Sequence, residues 1–368
     1  MKFFLIAGEV SGDKHGGILI KAIKNTCPGA EFCIVGGSSM EEAAGVTSVI
    51  PIRQMAFMGF IQVISKLTSI LQWIKMSKSA ITTFKPDVVI LIDYPGFNLR
   101  IAKWAKSQNF KVAYYISPKV WAWNKSRVYE IKKYVDQMFC ILPFEKAFYA
   151  KYDYEVNYFG NPLLDEIASF QKDPQFLLKN GFDKPILALL PGSRIQEINR
   201  ILPTMLQAAK FFPQYHWVIP RSPNLDKQLI QALIPADMLT RVLILENDYY
   251  NLLGHASLAL VTSGTATLET ALFKVPQVVC YKTGSLTYFL AKHLVDLNFI
   301  SLVNLIADKE VVKELLQTNC NPKSIVDELS RLASLTAEEN SHFYDDLMKE
   351  MGEAGSAKRV AEALVAMA

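Results

Sequence analysis

With 368 residues, 51% of them hydrophobic and 20% charged, the chain has the length for roughly two domains with cores of their own. Its composition excludes a disordered or collagen-like protein. The five cysteines (27, 33, 140, 280 and 320) lack C-x-x-C or zinc spacing, so free thiols in a reducing compartment are expected.

Short apolar runs without alternation imply strands buried on both faces. They fall at residues 2–7, 31–35, 87–92, 111–116 and 137–142, with helical periodicity at 14–24, 57–82 and 99–106. The pattern breaks near Phe159-Gly-Asn-Pro162, and a polar stretch marks a boundary between 165 and 166. It restarts at Pro185-Ile-Leu-Ala-Leu-Leu-Pro191, with further strands at 216–219, 241–245, 258–262 and 277–281 and only helices from 309 onward. This repetition predicts two doubly wound α/β domains, 1–165 and 166–345, and a helical tail, 346–368, that packs on the first domain or exchanges between two copies in a homodimer. The five-residue run from Phe3 to Ala7 is short for a signal-peptide core. No run reaches the ~20 apolar residues of a membrane span, so a cytoplasmic location is expected.

Ligands of such sheets bind beyond the carboxyl ends of the strands, which directs attention to four loops. Ala7-Gly-Glu-Val-Ser-Gly-Asp13 follows the first strand; Gly8 and Gly12 permit a tight turn, and Ser11 and Asp13 either cap the helix or meet a polar substrate. Asp93 ends the strand at 87–92, where a carboxylate suits a general base for a hydroxyl nucleophile. Leu190-Pro-Gly-Ser-Arg194 opens a helix with Gly192 and Ser193, and Arg194 offers a two-pronged phosphate ligand. Leu260-Val-Thr-Ser-Gly-Thr-Ala-Thr-Leu-Glu269 reads as strand, small-residue turn and helix start. Ser263, Gly264 and Thr265 would bring a diphosphate to the helix N–H groups, and Glu269 would grip a ribose diol.

The net charge of +4 conceals an asymmetry: residues 43–129 hold twelve bases and two acids, and four of the five tryptophans. A basic field beside tryptophan and long aliphatics fits an anionic membrane surface; no nucleic-acid motif is present. In the helix predicted over 57–82, Phe57, Phe60, Ile61, Ile64 and Trp73 form or extend an apolar face flanked by lysines. These are expected to dip into the cytoplasmic leaflet of a membrane and contact acyl chains.

Six motifs then occur in one order: the two loops ending at Asp13 and Arg194, Ile92-Asp-Tyr-Pro-Gly-Phe-Asn98, Ser117-Pro-Lys-Val-Trp-Ala-Trp123, Leu142-Pro-Phe-Glu-Lys146 and Ser263-Gly-Thr-Ala-Thr-Leu-Glu269, followed by Ser301-Leu-Val-Asn-Leu305. The set resembles the lipid-A-disaccharide synthases over essentially the whole chain. The resemblance implies a GT-B fold with an interdomain cleft. It also implies inverting transfer from UDP-2,3-diacylglucosamine to 2,3-diacylglucosamine 1-phosphate (lipid X), with UDP as leaving group. It assigns Asp93 as base, and Arg194, Ser263, Gly264, Thr265, Glu269 and Asn304 to the nucleotide; Ser11, Gly12, Asp13, Asn98, Ser193 and Thr267 join them as substrate contacts. Many members carry a second aspartate where this chain has Gly96, which leaves Glu9 or Asp13 to assist Asp93. No cofactor or metal is implied, because cationic and N–H contacts to the departing UDP replace one. The alternative is a UDP-sugar 2-epimerase or another GT-B enzyme with a soluble substrate.

Overall fold

The computed structural model describes residues 1–55, 67–222, 225–284, 297–336, 339 and 342–368. They form two units, Met1–Asp165 with Glu353–Ala368, and Glu166–Gly352. The lipid contacts expected at Phe57, Phe60, Ile61 and Ile64 lie outside the described residues.

The first unit is built on β1 (Lys2–Ala7), β2 (Glu31–Val35), β3 (Val88–Ile92), β4 (Lys111–Tyr115), β5 (Gln137–Cys140) and β6 (Asn157–Tyr158). The described strands pair in parallel in the order β2-β1-β3-β4-β5-β6. Side chains alternate between two separate cores: Phe4 and Ile6 of β1 join Val89, Ile101 and Tyr114, while Phe3, Leu5 and Ala7 join Leu19, Ile23 and Leu364. Both faces are covered, which is why these strands read as continuous apolar runs. The last core includes the end of the chain. Helix Ser356–Met367 packs on helix Val10–Thr26, and the Asp165 carboxylate caps it by accepting the N–H groups of Gly355, Ser356 and Ala357.

The second unit contains β7 (Ile186–Leu190), β8 (His216–Arg221), β9 (Val242–Glu246), β10 (Ala256–Thr262), β11 (Gln277–Tyr281) and β12 (Lys313–Leu316). Their order is β12-β11-β10-β7-β8-β9, again parallel. Leu187 and Leu189 face one core, and Ile186, Ala188 and Leu190 the other.

Three expectations are corrected. Residues beyond 309 are not all helical: β12 pairs with β11 at the sheet edge. Its Lys-Glu-Leu-Leu carries the charges that edge strands tolerate and central strands do not, so it lacks the apolar signature. The tail returns to the first unit at Glu353 rather than 346, because helix Asp345–Met351 packs on helix Leu302–Ala307 and the buried Tyr344 donates to the Val275 carbonyl (2.9 Å). Trp73 does not face lipid. It is 8% exposed and packs into the first core with Ile74 and Ile81, on the inner stripe of helix Leu67–Phe84; Leu71, 60% exposed, takes the outer side.

Each sheet has one point where the strand order reverses. In the first, β1 leads outward to β2 and the chain then crosses to β3; in the second, β7 leads to β8 and β9 before crossing to β10. Loops leaving the paired strands at such a point diverge and open a crevice. The loops after β1 and β3, and those after β7 and β10, are the candidate loops read from the sequence.

Candidate active site

In the first unit the two loops are in direct contact. A Cβ on Gly8 would lie 2.2 Å from the Tyr94 ring, so only glycine admits that ring. Glu9 precedes helix Val10–Thr26 and is partly exposed, as is Asp93. Asp93 and Tyr94 both adopt positive φ, 44° and 50°, a conformation costing on the order of 1–3 kcal/mol per non-glycine residue. The turn is over-determined by its neighbours. Asn98 donates to the carbonyls of Ile92 (3.1 Å) and Asp93 (2.7 Å), and the Tyr114 hydroxyl donates to the same Asp93 carbonyl (2.5 Å). With the backbone fixed, the Asp93 carboxylate stands at the carboxyl end of a buried strand. Burial, and then the charge of Glu9, push this carboxyl up to about 6; Lys119 and the Tyr94 N–H oppose them. A carboxylate with that affinity is basic enough to take a proton yet ionised at neutral pH.

β4 ends in a second strained turn. Ile116 has φ 67°, an outlier for a β-branched residue. The Ser117 hydroxyl then pairs with that of Tyr149 (2.8 Å). Trp121, 6% exposed, donates its indole N–H to the buried Glu145 (3.2 Å) and meets Phe144 edge-on at 5.0 Å. Lys119, between these anchors, is exposed. The motifs that contain Lys119 and Glu145 mark no role for either, because a buried glutamate in Leu-Pro-Phe-Glu-Lys has no periodic signal.

Three residues expected to meet substrate here are internal supports instead. Asp13 is 4% exposed, and its carboxylate accepts the N–H groups of Gly37 (2.6 Å), Ser39 (3.1 Å) and Met40 (3.2 Å), capping helix Ser38–Ala44. Gly12 is buried where helix Val10–Thr26 packs on the strand ends, with room for a Cβ in ordinary contact with Ala7 (3.4 Å) and Ile92 (3.6 Å). Asn98 is fully buried and directs its amide N–H groups to the turn just described. Ser11 stays exposed beside Glu9.

In the second unit the loop after β7 turns tightly against its own helix and the end of β10: a Cβ on Gly192 (φ 109°) would lie 2.5 Å from the Glu197 carboxylate and 3.2 Å from Thr262, the last residue of β10. Helix Ile195–Ala209 starts after Arg194 and helix Thr265–Leu272 after Gly264, and neither has a side-chain cap. Two helix N-termini therefore present orphan N–H groups at one switch point, an anion-binding arrangement. Gly264 (φ 154°, ψ −161°) occupies a region essentially confined to glycine. Ser193, Arg194 and Thr265 are exposed; the Arg194 guanidinium rests on Glu197 at 3.3 Å, a surface pairing worth little and readily exchanged for a phosphate. Glu269 accepts the hydroxyls of Tyr249 (3.0 Å) and Tyr250 (3.3 Å) and remains partly exposed.

Thr267 and Asn304 are corrected in the same way as Asn98. Thr267 is fully buried and donates to the Gly264 carbonyl (2.8 Å). Asn304 is fully buried; it donates to Val312 O and Glu314, and accepts the N–H groups of Val311 and Val312, all within 2.8–2.9 Å. Glu314 of β12 also accepts the N–H groups of Ile300 and Ser301 and the Ser301 hydroxyl. The Ile300 carbonyl in turn receives the Ser263 hydroxyl (2.8 Å). The strand absent from the sequence reading thus anchors the loop that holds Ser263 in place.

Solved structures share this architecture along the whole chain. The glycotransferase of kitacinnamycin superposes with a TM-score of 0.70 at 12% identity, covering 100% of this chain and 98% of its own. UDP-GlcNAc 2-epimerase from Neisseria meningitidis gives 0.69 at 16%, covering both chains fully. At such identity the likeness shows the fold, and with it the class: a GT-B type protein with two doubly wound α/β units. Sequence separates the members of that class. The family described as lipid-A-disaccharide synthetase matches residues 3–367. The lipid-A-disaccharide synthase of Myxococcus xanthus is 37% identical over 99% of this chain and 97% of its own, and that of Coxiella burnetii 38% over 92% and 89%. The chain belongs to the lipid-A-disaccharide synthetase family and is a glycosyltransferase of lipid A biosynthesis.

Proposed function

We propose that this glycosyltransferase joins UDP-2,3-diacylglucosamine to 2,3-diacylglucosamine 1-phosphate, giving the β-1,6-linked disaccharide 1-phosphate and UDP with inversion at the anomeric carbon. The observation that carries the reading is Asp93, a carboxylate at the first switch point with its affinity for protons raised to about 6. The acceptor 6-hydroxyl gives its proton to Asp93 as its oxygen bonds to the anomeric carbon and the bond to UDP breaks. The charge of Glu9 raises the affinity of this base for its proton. The second unit holds the leaving group: the N-terminal N–H groups of helices Ile195–Ala209 and Thr265–Leu272, with Ser193, Ser263, Gly264 and Thr265 around them, and Arg194 receive the diphosphate, and Glu269 the ribose diol. That positive field takes the place of a metal, so turnover is expected to survive excess EDTA. Incubating the pure protein with both lipid substrates should yield the disaccharide phosphate and UDP by mass spectrometry. Product from the UDP-sugar alone would point to the epimerase reading instead.

The basic window adds a location. Among the described residues no helix is long and apolar enough to cross a membrane. Helix Leu67–Phe84 exposes Leu71 and Met76 beside Lys75, a mixture that suits an anionic lipid surface. We place the protein at the cytoplasmic face of the inner membrane. Within one chain the tail folds on its own first unit; exchange of that tail in a homodimer is the alternative that light scattering tests.

A further inference from the structure

We infer that Glu145 and Trp121 are positioning residues that hold Lys119 beside Asp93, and that Lys119 tunes the catalytic carboxylate. This rests on Asp93 being the base. The Ser117–Trp121 segment leaves β4 through the strained Ile116 and is gripped at both ends by helix Phe144–Ala150, which follows β5. At its start Ser117 pairs with Tyr149 (2.8 Å); at its end Trp121 donates to Glu145 (3.2 Å) and packs on Phe144. β4 pairs with β3, and the Asp93 N–H donates to the Tyr115 carbonyl (3.1 Å), so the segment that carries the exposed Lys119 between its two buried anchors leaves the sheet alongside the Asp93 turn, where its charge opposes the rise in proton affinity.

The chemistry at position 145 demands a carboxylate. Oε1 accepts the indole N–H, and Oε2 accepts the backbone N–H groups of Leu142 (3.0 Å) and Ile141 (3.3 Å). Three donors converge on two oxygens. Glutamine would turn an NH2 group toward either the indole or the two amides, donor against donor. Glu145 is 1% exposed, and a buried carboxylate is retained only where its partners compensate its lost hydration. Burial pushes this carboxyl up to about 7, against the pull of those N–H groups and Ser117. The groups facing it are Ser117, Trp121, Cys140 and Tyr149. Those facing Asp93 are Glu9, Lys119, Tyr94 and Tyr114, with Arg127 acting on Tyr114.

The test is the pH profile of kcat/KM for the two lipid substrates in the full chain and in K119M, W121F, E145Q and D93N. Removing the lysine raises the affinity of Asp93 for its proton, so the acid limb in K119M should move upward by roughly half a unit to one unit. W121F and E145Q should move it the same way, and neither should add to the shift in a double variant with K119M. KM for the UDP-sugar should change little. If W121F and E145Q lower turnover or melting temperature with the limb unmoved while K119M shifts it, Glu145 only packs the loop and the inference is overturned. Should E145Q fail to fold, W121F, which keeps the aromatic contact with Phe144, decides alone. A D93N enzyme with full turnover would remove the base itself, and so overturns the proposed reaction together with this inference.

Discussion

At Asp93 the same burial that makes a base also strains the fold. Replacing it with asparagine should lower kcat by roughly 10²–10⁴-fold while leaving UDP affinity in place, as isothermal titration would show. Below about pH 6 the wild-type rate should fall as the carboxylate protonates. E9Q removes a neighbouring negative charge, lowers that affinity and should carry the acid limb to lower pH. A carboxylate introduced by G96D meets open space and should carry it higher. Stability runs oppositely to activity. Asp93 binds its proton more tightly folded than unfolded, so its contribution is complete below the unfolded value near 3.8 and is lost as pH rises through about 6. Ionisation in the fold then costs on the order of 3 kcal/mol. D93N should therefore melt higher than wild type at about pH 8, with no gain below about pH 4; an equal gain at both would show that titration is not the cause. The position of Asp93 at a strand end was readable from the sequence. Its raised proton affinity was not, because that depends on burial by the folded loops and on the charge of Glu9, brought in from another strand end, against the opposing charge of Lys119.

At the level of elements, the buried β-rich runs announced themselves, and the small-residue turns marked where ligand loops begin. Side chains that look like ligands but serve as struts could not be separated by motif. Asp13, Asn98, Thr267 and Asn304 are polar residues in functional-looking loops, and each fastens backbone groups of its own fold. Only knowledge of which N–H groups lie nearby tells the two apart. N304A tests this division: losing Asn304 strands the Val311 and Val312 N–H groups and should cost on the order of 3 kcal/mol, lowering the melting temperature by roughly 5–10 °C. The folded fraction should keep its kcat within a few-fold. A tenfold rise in KM for the UDP-sugar without loss of stability would return Asn304 to the list of ligands. Strand β12 was missed for a related reason: its charges reflect its place at an edge, and sheet order is not written locally.

For the molecule as a whole, the proposed attachment to lipid has a charged and an apolar component that can be tested apart. Vesicles rich in anionic lipid should bind the protein at low salt and release it as salt screens the basic window. The double variant L71S/M76S, which changes two exposed apolar side chains of helix Leu67–Phe84, should weaken binding without lowering the melting temperature. W73S should instead unfold the first unit, because its side chain is core. Unchanged vesicle binding by L71S/M76S would assign attachment to the lysines alone.

The cap that Asp165 places on Gly355, Ser356 and Ala357 joins parts of the chain that are made far apart in time. A nascent first unit lacks the helix that covers Leu19 and Ile23 until Glu353–Ala368 has left the ribosome. At about 5–20 residues per second, that wait lasts roughly 10–40 s, while Glu166–Gly352 emerges as an uninterrupted segment able to complete itself first. Biogenesis should thus run inside out. Stalled chains ending near Gly352 should show protease-sensitive Met1–Asp165 beside a resistant second unit, and an affinity tag that masks the final helix should burden chaperones more than one at the amino terminus.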